Sequence, residues 1–157
     1  MAAITAAMVK ELREMTGAGM MDCKKALNEC NGNMEEAIDF LKKSGAAKME
    51  KKASRIAAEG IARVAVKDNV AVVVEVNSET DFVAKNEKFQ TYVEAVAEQV
   101  LASDATDMDA FMDEAWNADA SKTVKDVLVE QVAVIGENLK IRRFEKVSAE
   151  NGMVVTY

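Results

Sequence analysis

Apolar and polar positions along the 157-residue chain change their period twice. Up to residue 45 apolar residues recur at three- and four-residue intervals, which predicts amphipathic helices. Met8, Leu12 and Met15 share one face of a first helix, capped by Thr5. Thr16-Gly17-Ala18-Gly19 ends it, with glycine where a left-handed C-terminal residue is wanted. Met20, Cys23, Leu27 and Cys30 make the stripe of a second helix, which Asn31-Gly32 stops. Asn33-Met34-Glu35-Glu36 has the spacing of a capping box and opens a third helix. Its Met34, Ala37, Ile38 and Leu41 face inward, and Ser44-Gly45 closes it. Three helices in about 45 residues are the smallest bundle that shares a core, marginal alone.

Ala46 to Glu59 reads as a charged helical connector, and Gly60 breaks it. The period then falls to two: Ile61 to Val66 alternates as a half-buried strand, and Lys67-Asp68-Asn69 turns the chain. Val70 to Val76 returns as a strand dense in β-branched residues. The helical period resumes with Phe89, Tyr92, Val93, Val96 and Val100, a helix that packs on the sheet. Ser103 to Asp119 is acidic, a loop with a short helix around Phe111. Val124 to Ile135 is a further amphipathic helix. Leu139 to Val147 alternates again, and Gly152 to Tyr157 is strand-like up to the terminus. A strand ending there leaves an unpaired edge, so the chain reads as incomplete. The pattern predicts an α+β fold: helices first, then a small antiparallel sheet with packed helices.

The junction between Val76 and Phe89 is the most informative stretch. Thr80 or Asp81 is placed to cap the helix that follows the strand, and Phe82 stands next to the acid. A phenylalanine there has two readings. One is a core plug or hydrophobic staple; the other is a wedge held out to enter a partner.

Composition removes several function classes. With no histidine, the commonest general base and every Ser-His or Cys-His pair are absent. No glycine-rich loop of the phosphate-cradling kinds occurs, and Cys23 and Cys30 lie on one helix face as buried side chains rather than a disulfide or metal pair. An enzyme is not expected, nor any cofactor or metal. The net charge of −7 argues against a nucleic-acid partner held through phosphates. No apolar run approaches the roughly 20 residues of a membrane helix, and no signal pattern opens the chain, so a cytoplasmic protein without a membrane partner is expected. Residues 1–52 carry nine Lys and Arg against eight Asp and Glu; residues 53–157 carry eleven against nineteen. That asymmetry suggests two modules. Lys24 and Lys25 lie off the apolar stripe of the second helix, as a solvated face or as a basic spot for a partner.

Three stretches carry a family resemblance. Thr16-Gly17-Ala18-Gly19-Met20-Met21-Asp22-Cys23-Lys24-Lys25-Ala26-Leu27 resembles the N-terminal signature of the elongation factor Ts family, the bacterial exchange factors of the GTPase elongation factor Tu. Glu75 to Ala84 resembles its second signature, including Thr80-Asp81-Phe82-Val83. Ile135 to Arg143 is similar to a third family segment, and the three fall in family order.

The resemblance implies a ubiquitin-associated-like three-helix domain over 1–45 and a connector over 46–59. It implies the first half of a pseudo-symmetric core over 60–140 and the truncated start of the second half over 141–157. It implies guanine-nucleotide exchange on elongation factor Tu, GDP-bound and nucleotide-free, by displacement of the partner's magnesium. Thr80, Asp81, Phe82 and Val83 are then the working tip, and Met20, Met21 and Lys24 the N-terminal contacts. Magnesium demands near-octahedral oxygen ligands at about 2.0–2.1 Å, so a small displacement of its ligands weakens it sharply. The alternative is a small helical interaction module or fragment that docks on the GTPase without efficient exchange.

Overall fold

The computed structural model describes residues 4–157, and its contacts fall into two units. The first comprises the described residues of Met1–Ser54 together with Val129–Gly136. Three helices build it: α1 (Ala6–Thr16), α2 (Met20–Glu29) and α3 (Met34–Lys52). Each start has a chemical cause. Thr5 Oγ1 accepts from Met8 N at 3.3 Å, and Asn33 Oδ1 accepts from Glu36 N at 3.2 Å while the Glu36 carboxylate accepts from the Asn33 side chain at 3.0 Å. Gly17 ends α1 in the left-handed region at φ 68°. Asn31 takes that role after α2 at φ 50°, with Gly32 N donating to Leu27 O at 2.8 Å.

Val9, Leu12, Cys23, Ala26, Leu27 and Ala37 are buried together, and Met34, Ile38 and Leu41 pack against them half-buried. The predicted stripes hold with two corrections. Val9 rather than Met15 joins Leu12 inside, and Met15 and Met20 are exposed. Methionines serve either side of such a stripe, so the apolar pattern alone misplaces them by one helical position.

The expected stop at Ser44-Gly45 is absent: α3 runs on to Lys52. Gly45 is buried, and a Cβ there would lie 2.9 Å from Val129 Cγ1. The glycine is present for close packing against Val129, at the cost of about 1 kcal/mol of helix propensity relative to alanine. Residues 53–58 are not helical, so only the first half of the expected connector is.

The second unit comprises Arg55–Leu128 and Glu137–Tyr157. Strands β1 (Glu59–Lys67) and β2 (Val70–Ser78) form an antiparallel hairpin closed by Asp68 and Asn69, with Asp68 at φ 55°. Next come α4 (Asp81–Ala84), α5 (Glu87–Ala102), α6 (Met108–Asp113), the short strands β3 (Ala115–Trp116) and β4 (Asp119–Thr123), α7 (Val124–Ile135), of which only Val124–Leu128 belongs to this unit, and β5 (Lys140–Ser148). β5 pairs antiparallel with β2, giving the sheet order β1-β2-β5.

Val72, Val74 and Val76 point to one face of β2 and are buried, as are Phe89, Tyr92, Val93, Val96 and Val100 of α5, which lies over β1 and β2. Val64, Val66, Val73 and Val147 are exposed instead. Apolar residues on both faces explain why Val70–Val76 reads as a continuous run rather than an alternation. Phe111 packs on Phe144 with ring centroids 5.0 Å apart, anchoring α6 to β5. Lys146 Nζ donates to Leu101 O at 3.1 Å and Ser103 O at 2.9 Å, satisfying carbonyls where α5 ends.

Two features depart from the sequence reading. The end of the acidic stretch and the residues just after it form the β3–β4 hairpin, too short to show a two-residue period, which the buried Gln99 fixes through Ala115 O at 3.2 Å and Asn117 N at 2.8 Å. Gly152 to Tyr157 forms no strand; none of the described strands pairs with it, and Met153, Val155 and Tyr157 are exposed.

Candidate functional site

The site is the corner where β2 gives way to α4. Its base is polar and buried. Asn77 Nδ2 donates to Glu59 O at 3.1 Å, and Ser78 Oγ donates to Thr80 O at 3.1 Å from a fully buried position. Thr80 is extended, at φ −125° and ψ 154°, and its Oγ1 accepts from Val83 N at 3.4 Å. It is therefore the N-cap, and α4 is the single turn that it starts.

That turn decides where the predicted tip residues go. Ala84 is buried, and Val83 and Thr80 are half-buried. Asp81 is exposed and pairs with Lys85 at 2.7 Å. Phe82 is 82% exposed. Of the two readings of Phe82, the core plug is excluded: the ring stands in solvent. Phe89 and Phe111 of the same unit are completely buried, so Phe82 differs from them in standing on the surface.

The Lys85 ammonium holds the Asp81 carboxyl below the usual aspartate range, first through its hydrogen bond and then through its charge. A folded value below the unfolded one stabilises the fold above the unfolded pKa, and the contribution is lost as pH falls through the folded value. For this solvent-exposed pair the effect on stability is small. Carboxyl NMR of Asp81 is expected to give a midpoint below that of a free aspartate, and Lys85→Ala to raise it. An unchanged midpoint in Lys85→Ala would show that the ammonium is not the cause.

The sequence reading missed what holds the corner from behind. Glu137 Oε2 accepts from Glu79 N at 3.0 Å and Thr80 N at 3.1 Å, and its Oε1 accepts from Thr80 Oγ1 at 2.6 Å. Glu79 Oε1 accepts from Asn138 N at 2.6 Å, and Asn138 Nδ2 donates to Arg55 O at 2.8 Å. In the sequence Gly136-Glu137-Asn138 only follows a helix, inside the third family segment, and no local pattern announces a partner 57 positions away. One strand turn below, Glu75 accepts from Arg143 Nε at 2.7 Å and Arg142 Nη1 at 3.1 Å, tying β2 to β5.

The other predicted contacts, Met20, Met21 and Lys24, lie in the first turns of α2, in the other unit. Met20 is 59% and Met21 76% exposed, and Lys24 is exposed. Two neighbouring methionines in solvent make an adaptable apolar surface. Among the described residues no group of three or more His, Cys, Asp or Glu is arranged to hold a metal ion. None of the described helices is long and apolar enough to cross a membrane.

The chain is similar to proteins named Elongation factor Ts. It is 54% identical over 157 residues to that of Trichlorobacter lovleyi, covering 99% of this chain and 50% of the relative. It is 55% identical over 155 residues to that of Dinoroseobacter shibae, covering 99% and 51%. It is 53% identical over 157 residues to that of Rhizobium johnstonii, covering 100% and 50%. The chain thus spans about half the length of the curated relatives it matches. The family model described as Elongation factor TS matches residues 79–157, just over half of the sequence, from the Glu79 corner through β5 to the terminus. With that match the chain belongs to the elongation factor Ts family.

Proposed function

We propose that the chain promotes release of GDP from elongation factor Tu, and that the corner at Thr80–Val83 does so by disturbing the magnesium ion bound with the nucleotide on the partner. The observation that carries this reading is the exposure of Phe82 on a turn held rigidly from below. In this reading Phe82 enters the partner as a wedge and Asp81, paired with Lys85, competes for polar groups near the ion. Thr80 caps the turn, and Val83 backs it. The magnesium and the nucleotide belong to the partner, so the chain acts as an exchange factor rather than an enzyme and needs no cofactor of its own.

The partner is engaged both GDP-bound and nucleotide-free, because a factor that weakens nucleotide binding must bind best where nucleotide is gone. Met20, Met21 and Lys24 are the second contact, on a helical module of the ubiquitin-associated-like kind. The segments implied by the resemblance, 1–45, 46–59, 60–140 and 141–157, belong to the same reading, as does a pseudo-symmetric core. β5, which spans the proposed boundary at 140/141, hydrogen-bonds to β2. The setting is the cytoplasm, with neither nucleic acid nor membrane as a partner.

Stopped-flow release of a fluorescent GDP analogue from elongation factor Tu tests the proposal, with excess EDTA giving the metal-free ceiling. The chain is expected to raise the rate towards that ceiling in a saturable way. A rate that stays spontaneous at saturating chain would sink the exchange reading and leave docking without exchange.

A further inference from the structure

Helix α4 is four residues long, too short to hold a direction by its own hydrogen bonds. Phe82 gains almost no packing of its own, being 82% exposed. The aim of the ring is therefore the aim of the backbone that carries it. That backbone is gripped by one carboxylate, Glu137, which takes the N–H groups of Glu79 and Thr80 on one oxygen and the Thr80 hydroxyl on the other. The same hydroxyl oxygen accepts from Val83 N, so the cap of α4 is itself oriented by Glu137. The return bond from Asn138 N to the Glu79 carboxylate makes the grip reciprocal.

We infer that Glu137 is a positioning residue for Phe82: its carboxylate fixes the direction in which the ring is presented to the partner. The inference rests on the reading of Phe82 as the inserted group. Its physical content is preorganisation. A ring aimed before encounter does not have to be ordered during it, and a misplacement of about 1 Å costs on the order of a hundredfold where geometry is critical.

Three substitutions at one position separate this role from charge and from general stability. Glu137→Gln keeps the shape: its carbonyl oxygen takes both backbone N–H groups and its amide donates to Thr80 Oγ1. Glu137→Asp keeps the charge but is one methylene too short to reach. Glu137→Ala removes the grip. In the GDP-release assay on the full chain, Ala and Asp are each expected to lower the saturating rate by about tenfold or more, with the half-saturating concentration changed less than about threefold. Gln is expected to stay within about threefold of the parent. A charge effect would rank Asp above Gln.

Amide exchange is read on the same proteins. Glu79 and Thr80 N–H should exchange faster in Ala and Asp, while Val74 and Val76 of β2 stay protected, showing an intact sheet. Saturating rates equal to the parent in Ala and Asp, with those two amides opened, overturn the positioning role and leave the exchange reading standing. A Gln variant as poor as Ala, or Asp better than Gln, also overturns it. A parent chain that fails to speed release overturns the exchange reading and the positioning role with it.

Discussion

Phe82→Ala leaves the folded chain as stable as before and removes most of its effect on GDP release. The first half of that expectation follows from exposure. A ring that is 82% in solvent contributes almost no burial to the fold, so its removal should move the unfolding free energy by no more than about 0.5 kcal/mol. Alanine is also the better helix former, which offsets the little packing that the ring provides.

The second half follows from what the ring gains when a partner covers it. Burying a phenylalanine side chain is worth about 1.5–3 kcal/mol, and a tenfold change in an equilibrium corresponds to about 1.4 kcal/mol, so the loss is expected to be about 10- to 150-fold. A thousandfold acceleration by ground-state weakening needs about 4 kcal/mol, beyond one phenylalanine. On the proposed function the remainder comes from a wider docking surface, and Met20, Met21 and Lys24 are its first proposed piece. Thermal unfolding and stopped-flow release on the two proteins check both halves. A large fall in melting temperature would mean that Phe82 supports the fold after all. Undiminished release would show that the ring is not the wedge.

How much of the fold and the corner is legible in the sequence depends on whether the signal is local. An alternating run before Lys67-Asp68-Asn69 and a β-branched run after it are enough for the β1–β2 hairpin, and Thr5, Asn33 and the Thr80-Asp81 pair are readable as caps because a cap acts within three residues. Phe89, Tyr92, Val93, Val96 and Val100 are readable as one face of α5, and all five are buried. Phe82 is ambiguous in sequence, since exposure at a strand-to-helix corner is set by the surroundings.

What stays hidden is non-local. Gly45 looks like a helix stop because its reason for being glycine is Val129, 84 positions on. Glu137 has no local signal because its partners, Glu79 and Thr80, are reached only through the fold. The β3–β4 hairpin is concealed by its own brevity and by the acids around it. The family segments mark which residues matter, and the fold supplies why Glu137 is among those that hold the corner.

Gly60→Ala should be the most damaging single-methyl change in the second unit, and it should weaken the corner as well as the fold. Gly60 sits within β1 at φ 133°, a conformation that side chains with a Cβ rarely adopt. It is paired with Asn77, and a Cβ built there would collide with Val76 O and come within 2.7 Å of Asn77 Cα. Those are backbone atoms of the central strand, which cannot rotate away as the end of a side chain can. Strain at such a φ costs about 1–3 kcal/mol and forced overpacking about 1–3 kcal/mol more, so a loss of about 2–6 kcal/mol is expected.

Gly17→Ala is the matched control. Gly17 is also at positive φ, 68°, but a Cβ there meets nothing within 4 Å. Its cost is the left-handed conformation alone, about 1–2 kcal/mol. Urea unfolding of both variants separates the two costs: midpoints should fall in the order parent, Gly17→Ala, Gly60→Ala. Asn77 also donates its side chain to Glu59 O, and Ser78 next to it holds Thr80 O. A displaced Asn77 therefore carries the base of the corner with it. In conditions where Gly60→Ala remains folded, release of GDP should fall although Phe82, Asp81 and Glu137 are all present. Equal midpoints for the two glycine variants would show that the sheet yields to the extra methyl, and normal release by folded Gly60→Ala would show that the tip keeps its aim when its base shifts.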